Sequence, residues 1–398
     1  MNTAQSAIVP DHCKSGIFIE ADAQGSTDVI KQACVQSLDA LADLQTQFPD
    51  ASLGLTLAFG SRLWQSFGHS EEGRDIKPFK ALGGGLAPAT QHDVLIHIQS
   101  LRHDLSMALA EKVLAAFGSS ISVADETHGH RLLEERGFDG FVDGTENPQD
   151  EKRAEVAVIA AGADAGGSYV LLQKYRHDLQ KWSQCDTAKQ EACIGRTKES
   201  DEELEGDMRL SDSHLGRVDL KENGAGLKIV RRSLPYGTLS GERGLMFIAY
   251  CARLYNIEAQ LQSMFGERDG QTDLMLHHLT TAVSGAYYTP QAWRVCRICD
   301  ALVKKSAQLW AVRFFMRRQT AVVQTAFALQ SAHVHRHPLP LGRPCPAAAA
   351  ARSAGRRPRG KRVPLYRARH LPRRLGGGAR SGCGQYPQRH RHPPVVCC

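Results

Sequence analysis

No acidic residue follows Asp300, and this absence sets the last 98 residues apart from the rest of the chain. Residues 291–398, called the basic tail below, hold 22 Lys and Arg residues against one acid, whereas residues 1–290 hold 27 basic and 41 acidic residues. Folded domains interleave the two signs of charge. The net charge of +7 therefore averages an acidic body and a basic tail, and it describes neither part.

The chain also lacks a hydrophobic run that approaches the roughly 18 residues of a membrane span. Its first residues show neither a basic segment followed by an apolar one nor a pair of arginines, so no export signal is predicted. Five cysteines are scattered through residues 1–290, a pattern typical of reduced, mostly buried thiols in a cytosolic protein. We expect a cytoplasmic protein.

Hydrophobic periodicity predicts strands and helices in two successive halves of the body. Ser26 is placed to cap a helix whose apolar positions Ile30, Cys34 and Leu38 share one face, and Gly118 is placed to end a second helix. The predicted strands lie at 16–25, 52–60, 93–100, 167–175, 226–233 and 244–254, and the predicted helices at 27–48, 104–118, 176–185 and 256–266. This order predicts an α+β duplication rather than one doubly wound sheet.

The segment GFVDGTENP (140–148) places one acid, Asp143, between two glycines, with Phe141 and Val142 beside it. Gly, Asp, Asn and Pro all favour turns, so a surface turn is one interpretation. A turn does not, however, need an aromatic ring and a valine beside its acid. The alternative is a carboxylate held in apolar surroundings on a backbone bent at both ends, which suits an acid used for proton transfer.

The segment KIVRRSLPYG (228–237) supplies two cations near the end of a predicted strand. Strand alternation puts Arg231 and Ser233 on the inner face with Ile229, and it turns Arg232 outward. Beside an acid such as Asp143, a guanidinium on that face would stabilise the charge that develops as a peroxide O–O bond breaks.

A histidine that could bind iron is harder to single out. His214 ends the acidic stretch 199–214, which is typical of a solvated loop, and imidazole is a suitable ligand of haem iron. The sequence shows other histidines just as clearly, at 128 and 130 and at 277 and 278. Spacing alone leaves all of them open.

Five segments together resemble the dye-decolourising peroxidases, in particular the cytosolic B-type branch of enteric bacteria. They are, in order, GFVDGTENP (140–148), IGRTK (194–198), SDSHLGRVDL (211–220), KIVRRSLPYG (228–237) and LMLHHLTTAVSGAYY (274–288). The likeness covers nearly all of residues 10–290 and stops at the basic tail. It implies two ferredoxin-like domains, at 1–147 and 148–290, with haem held in the second.

Carried over by position, the resemblance makes Asp143 the distal acid, Arg231 the distal arginine and His214 the proximal ligand of one haem b per chain. Ser233 stands where some relatives have a distal asparagine and is a catalytic candidate on that ground. The other haem contacts that it implies are Arg196, as partner of a propionate, and Gly144, Thr145 and Glu146.

The resemblance implies a haem peroxidase that reduces hydrogen peroxide through a ferryl intermediate and oxidises aromatic dyes, phenolics or porphyrinogens. The alternative is a haem-binding or haem-handling protein with incidental peroxidase activity, which would need His214 but neither Asp143 nor Arg231. The resemblance also implies a homo-oligomer, and neither a membrane nor nucleic acid is expected as a partner.

Bulky dyes cannot enter a pocket of this kind, so the resemblance implies that electrons leave through surface aromatic side chains. Trp64, Trp182, Tyr236 and Tyr250 are available in the sequence. For each of them, packing in the core or at an interface is the favoured interpretation.

The basic tail has three interpretations. It could bind nucleic acid through phosphate contacts, or Cys296 and Cys299 could form a metal site with histidines at 333–337. The favoured interpretation is out-of-frame translation or a disordered segment, because Arg, Ala, Pro, Gly and Cys are all in excess. Since the tail replaces a short apolar stretch that closes the haem domain in the family, we also expect weaker haem retention.

Overall fold

The protein is described here by a computed structural model covering residues 4–10, 13–68 and 71–292. The interpretations of the basic tail, including the metal site at Cys296 and Cys299, concern residues outside these ranges. In the described part, no helix combines the length and the apolar character needed to cross a bilayer. The five cysteines of this part are free thiols, and four of them are buried, as predicted.

The secondary structure alternates strands and helices in both halves. The first half contains β1 (Ser15–Ala23), α1 (Thr27–Gln47), β2 (Gly54–Phe59), α2 (Ser61–Ser66), β3 (Val94–Ser100), α3 (His103–Phe117) and β4 (Ile121–His130). The second half contains α4 (Asp150–Ala157), β5 (Tyr169–His177), α5 (Leu179–Ser183), α6 (Thr187–Ile194), α7 (His214–Val218), β6 (Lys221–Glu222), β7 (Ala225–Gly226), β8 (Val230–Arg231), β9 (Leu234–Gly237), β10 (Arg243–Cys251), α8 (Leu254–Met264), α9 (Leu274–His278), β11 (Thr280–Ala282) and β12 (Ala286–Tyr288).

One antiparallel sheet of ten strands organises the described residues. The strand order is β11-β5-β10-β9-β4-β1-β3-β2, with β12 also paired to β5 and β8 also paired to β10. Gly129 of β4 pairs with Tyr236 of β9 and joins the two halves. A side chain at this glycine would not fit, because its Cβ would lie 2.5 Å from the Cβ of Leu234. The strand order confirms the predicted α+β class with a ferredoxin-like duplication, and the domain boundary at 147/148 stays a prediction.

Both faces of the sheet are buried. One face contributes a cluster that includes Phe18 of β1, Val170 of β5 and Tyr250 of β10, so strands of both halves share it. The other face packs against α1, α3 and α8, which contribute Ile30, Leu109 and other buried residues. This second face also carries the cavity described below, because Leu245 and Phe247 of β10 alternate with Met246 and Ile248 of the first cluster.

Among the differences between the predicted and the observed elements are one strand boundary and one missed strand. The strand expected over 226–233 is reduced to Val230–Arg231, because only these residues and Leu234–Gly237 keep regular pairing with β10. Strand β4 was not predicted. Its sequence, ISVADETHGH, lacks regular alternation, and the strand is held by pairing with β1 along its whole length.

Candidate active site

The second half contains a cavity of about 210 Å³ with mostly apolar walls. Among the lining residues are all but one of those predicted from the motifs: Asp143, Gly144, Thr145, Glu146, Arg196, His214 and Arg231. The first and the last of these residues are 88 positions apart in the chain. The fold therefore brings the separate motifs to one cavity.

The loop that carries Asp143 is bent at both ends, as predicted. Gly140 has φ +89° and Gly144 has φ +96°, a region that favours glycine. Between them, Phe141 is buried against Trp182, with ring centroids 6.3 Å apart. The side chain of Asp143 is 23% exposed, and its Oδ2 lies 3.9 Å from Nη1 of Arg131. The carboxylate thus faces the cavity from a loop anchored by a buried ring.

Asn147, at the end of the same motif, fixes the position of Arg231. Its Oδ1 accepts a hydrogen bond from the Arg231 amide at 2.8 Å, and its Nδ2 donates to the Arg231 carbonyl at 3.0 Å. A tight turn connects it to the acid, since the Asn147 amide donates to the Gly144 carbonyl at 3.0 Å. The guanidinium of Arg231 lines the cavity and forms no hydrogen bond or ion pair with the described residues.

Arg232 lies on the face predicted for it, whereas Ser233 does not line the cavity with Arg231. Arg232 points away from the cavity, yet it is buried and donates to the carbonyls of Ile8 and Val9 at 3.2 and 2.9 Å. Ser233 is buried as well, and its Oγ accepts a hydrogen bond from the Ile248 amide at 3.3 Å. Ser233 is not among the described lining residues, because its hydroxyl is turned to this main-chain partner.

His214 is the first residue of α7, which Ser213 caps by accepting a hydrogen bond from the Gly216 amide at 3.1 Å. Nδ1 of His214 lies 2.7 Å from Oδ2 of Asp273, a fully buried carboxylate. Oδ1 of Asp273 accepts from the Met275 amide at 2.8 Å. Nε2 of His214 has no partner among the described residues. A carboxylate on one ring nitrogen and a free second nitrogen is the usual arrangement of a metal-binding histidine.

The geometry separates His214 from the other histidines that the sequence left open. The histidines at 128, 130, 277 and 278 do not line the cavity in the described chain. His177 does line it, although no motif pointed to it. Its Nδ1 lies 2.8 Å from Oγ1 of Thr280, and burial lowers its pKa to about 4. His214 is therefore the better candidate ligand.

Arg196 lies in a network of opposite charges at one edge of the cavity. Its Nε is 2.8 Å from Asp201, and its Nη1 is 3.2 Å from Glu146 and 3.3 Å from Glu203. Lys228 is 3.1 Å from the other oxygen of Glu146. Burial alone would raise the pKa of Glu146, but the hydrogen bond from Lys228 and the charge of Arg196 lower it. The edge thus carries two cations balanced by protein carboxylates.

The four aromatic residues considered as electron exits are all buried. Trp64 and Tyr250 are 1% and 0% exposed, and Trp182 and Tyr236 are 3% and 7% exposed. Tyr250 donates to or accepts from Nδ1 of His97 at 2.7 Å, inside the cluster shared by the two halves. Core packing, the interpretation favoured from the sequence, is what the structure shows for them.

The lining suits a haem group. A planar, largely apolar macrocycle needs apolar walls, one axial ligand, and cations for its two carboxylates. The cavity offers apolar walls, the free Nε2 of His214 held in place by Asp273, and Arg196 with Lys228 at the edge. Residues Asp143 and Arg231 remain available for chemistry.

Comparison with known proteins identifies the family of the chain. Residues 5–131 match the family profile "Dyp-type peroxidase, N-terminal" and residues 134–294 match "Dyp-type peroxidase, C-terminal". A dye-decolorizing peroxidase of Brevibacterium linens is 36% identical over 245 residues, which are 60% of this chain and 67% of that protein. A solved dye-decolorizing protein from V. cholerae is 41% identical with a TM-score of 0.68, over 72% of this chain and 97% of that one. A variant of DypB from Rhodococcus jostii, solved in complex with heme, is 32% identical with a TM-score of 0.69, over 73% and 97%.

Proposed function

This chain belongs to the Dyp-type peroxidase family and is a haem peroxidase, and on that premise we propose how its own residues reduce hydrogen peroxide. The observation that carries the proposal is the meeting of Asp143, Arg231 and His214 at one cavity. Haem b, one per chain, would be held there by Nε2 of His214, and it would supply the redox-active iron.

Asp143 is the proton shuttle in this proposal. It accepts a proton from one oxygen of hydrogen peroxide and returns it to the other, which leaves as water. The guanidinium of Arg231 stabilises the negative charge that develops on the departing oxygen. It is free to do so because no described carboxylate holds it, and Asn147 fixes its main chain beside the Asp143 loop.

Asp273 orients His214 and raises the basicity of its ring by accepting from Nδ1. Arg196, with Lys228, would face the propionates, and Gly144, Thr145 and Glu146 would line the haem edge. In this role Arg196 would share its guanidinium between a propionate and the carboxylates that it already holds. Ser233 has a structural role in this proposal, because its hydroxyl accepts a hydrogen bond from the main chain of β10.

The reducing substrates proposed are aromatic dyes, phenolics or porphyrinogens, each giving one electron at a time. A homo-oligomer belongs to the same proposal. So does a cytoplasmic location, which the free cysteines of the described chain support. Haem handling without turnover is the competing function. Arg231 argues against it, because a carrier has no use for an unpaired guanidinium on the lining.

An absorption spectrum of the haem-supplied protein, taken before and after one equivalent of hydrogen peroxide, tests the proposal. Wild type should show a haem band that changes with peroxide. His214→Ala should lose the band of the coordinated haem, while His278→Ala, changed outside the cavity lining, should keep it. Asp143→Asn and Arg231→Ala should bind haem but react slowly. Reaction of both at the wild-type rate would favour haem handling instead.

A further inference from the structure

Among the described residues, Glu146 alone forms ion pairs with both Arg196 and Lys228 at the edge of the cavity. Its Oε1 lies 3.2 Å from Nη1 of Arg196, and its Oε2 lies 3.1 Å from Nζ of Lys228. The side chain of Glu146 lines the cavity and is 40% exposed. A carboxylate of the protein therefore lies between the same two cations that are proposed to face the propionates.

Arg196 has little of its guanidinium left for a further carboxylate. Of its five N–H groups, two donate to Asp201, from Nε to Oδ1 at 2.8 Å and from Nη2 to the main-chain carbonyl at 2.5 Å. Nη1 donates to Glu146 at 3.2 Å and to Glu203 at 3.3 Å. One N–H group is left, whereas a carboxylate that binds a guanidinium with both oxygens needs two. A propionate bound in this way must replace one of the present acceptors.

Glu146 is the acceptor that a ligand in the cavity would meet. Asp201 and Glu203 are not among the described lining residues, and Glu146 is. Asp201 is also held twice by Arg196, so it is harder to displace. Glu146 can leave Arg196 without losing all its charge partners, because Lys228 still holds its other oxygen.

We propose that Glu146 competes with a haem propionate for Arg196 and thereby limits how tightly this chain holds haem. The inference rests on the proposed function, in which Arg196 is a propionate partner. Two carboxylates that need the same guanidinium weaken each other's binding, because each must displace the other. In this exchange Lys228 keeps the released Glu146 at the edge of the cavity, three residues after Asp143.

Transfer of haem to excess apomyoglobin, followed by absorption, measures this competition. Glu146→Gln keeps the length of the side chain but removes the competing charge. The haem-supplied variant should lose haem about two- to fivefold more slowly than wild type, the factor that corresponds to the ion pair of a partly exposed carboxylate. Glu203→Gln is the matched control, because it takes a carboxylate from the same Nη1 but lies outside the described cavity lining, and it should change the rate less.

Haem dimethyl ester provides a second comparison, because its esterified propionates carry no charge with which Glu146 could compete. The ester should therefore leave wild type and Glu146→Gln at the same rate. A substitution that acts through the fold of the loop would instead change the loss of haem and of its ester alike. That result, or equal slowing of haem loss by Glu203→Gln, would overturn the inference.

The direction of the change separates competition from support. Faster haem loss from Glu146→Gln would mean that Glu146 holds Arg196 in place for the propionate, the opposite of what is proposed. If Arg196→Ala loses haem faster than wild type while Glu146→Gln loses it at the wild-type rate, the role of Arg196 stands and only the competition fails. If Arg196→Ala also loses haem at the wild-type rate, the proposed role of Arg196 fails and the inference fails with it.

Discussion

Replacing Glu20 with glutamine should flatten the dependence of stability on pH. Glu20 lies on β1 and is only 3% exposed. Its Oε1 accepts a hydrogen bond from the hydroxyl of Tyr288, on β12 of the other half, at 2.5 Å. Burial raises the pKa of Glu20 from 4.5 to about 7, although the Tyr288 hydrogen bond opposes the shift. The group therefore holds its proton more firmly in the native than in the unfolded chain.

The sign and the size follow from this difference. Below pH 4.5 the carboxyl is protonated in both states and contributes nothing to the pH dependence. As the pH rises to 7, the unfolded chain releases the proton and the native protein does not, so the native state loses stability. Above pH 7 the loss is complete. A shift of about 2.5 units at about 1.4 kcal/mol per unit amounts to about 3 kcal/mol, as an upper estimate.

Urea unfolding of the haem-free protein at pH 5 and pH 8 measures this term. The difference in unfolding free energy between Glu20→Gln and wild type should move in favour of the variant by about 2.5 kcal/mol from pH 5 to pH 8, because part of the loss has already occurred at pH 5. Tyr288→Phe removes a hydrogen bond that favours the ionised form, so it should steepen the loss at high pH instead. If the difference between Glu20→Gln and wild type is the same at both pH values, the pKa of Glu20 is not raised in the native protein and the reasoning is wrong.

Three further predictions concern the cavity. Asn147→Ala removes both hydrogen bonds to the Arg231 main chain, so it should lower the free energy of unfolding in urea by about 1–3 kcal/mol. It should also slow the peroxide reaction in stopped flow, and an unchanged rate would show that these two hydrogen bonds do not position Arg231 for the reaction. Asp273→Asn removes the carboxylate from Nδ1 of His214 and should weaken haem affinity by about 10–100-fold in a haem titration. Arg196→Ala leaves three carboxylates without their shared cation and should speed haem transfer to excess apomyoglobin, whereas equal transfer rates would show that Arg196 does not hold a propionate.

Much of the fold could be predicted because local patterns and tertiary packing agree. Helix α1 begins at Thr27 after the cap Ser26, whose side chain accepts from the Val29 amide, and it buries Ile30 and Cys34 as the periodicity indicates. Strand β4 could not be predicted in the same way. Val123 is 45% exposed in it, and pairing with β1 decides its conformation. The sequence of β4 alone does not indicate its pairing with β1.

The sequence also indicates many of the residues that line the cavity. Asp143 and Arg231 line the cavity, and both can be singled out from the sequence. Glycines flank Asp143, and strand alternation distinguishes Arg231 from Arg232. Asp273 has no such mark, since its partner His214 is 59 residues away and an aspartate before a short helix is first of all a cap. Residues that act through a partner are visible only once the partner is in place.

The motif GFVDGTENP positions two chemical groups, the Asp143 carboxylate and the Arg231 guanidinium, rather than one. Asp143 at one end faces the cavity, and Asn147, one turn later, fixes the strand that carries Arg231, 84 residues away. The two glycines supply the bends, and the buried Phe141 anchors the loop. Acid and cation are therefore positioned by the same nine residues. A substitution at Asn147 should therefore change the position of Arg231 relative to Asp143 while leaving every lining residue in place. Such a variant tests the geometry of the site separately from its residue types.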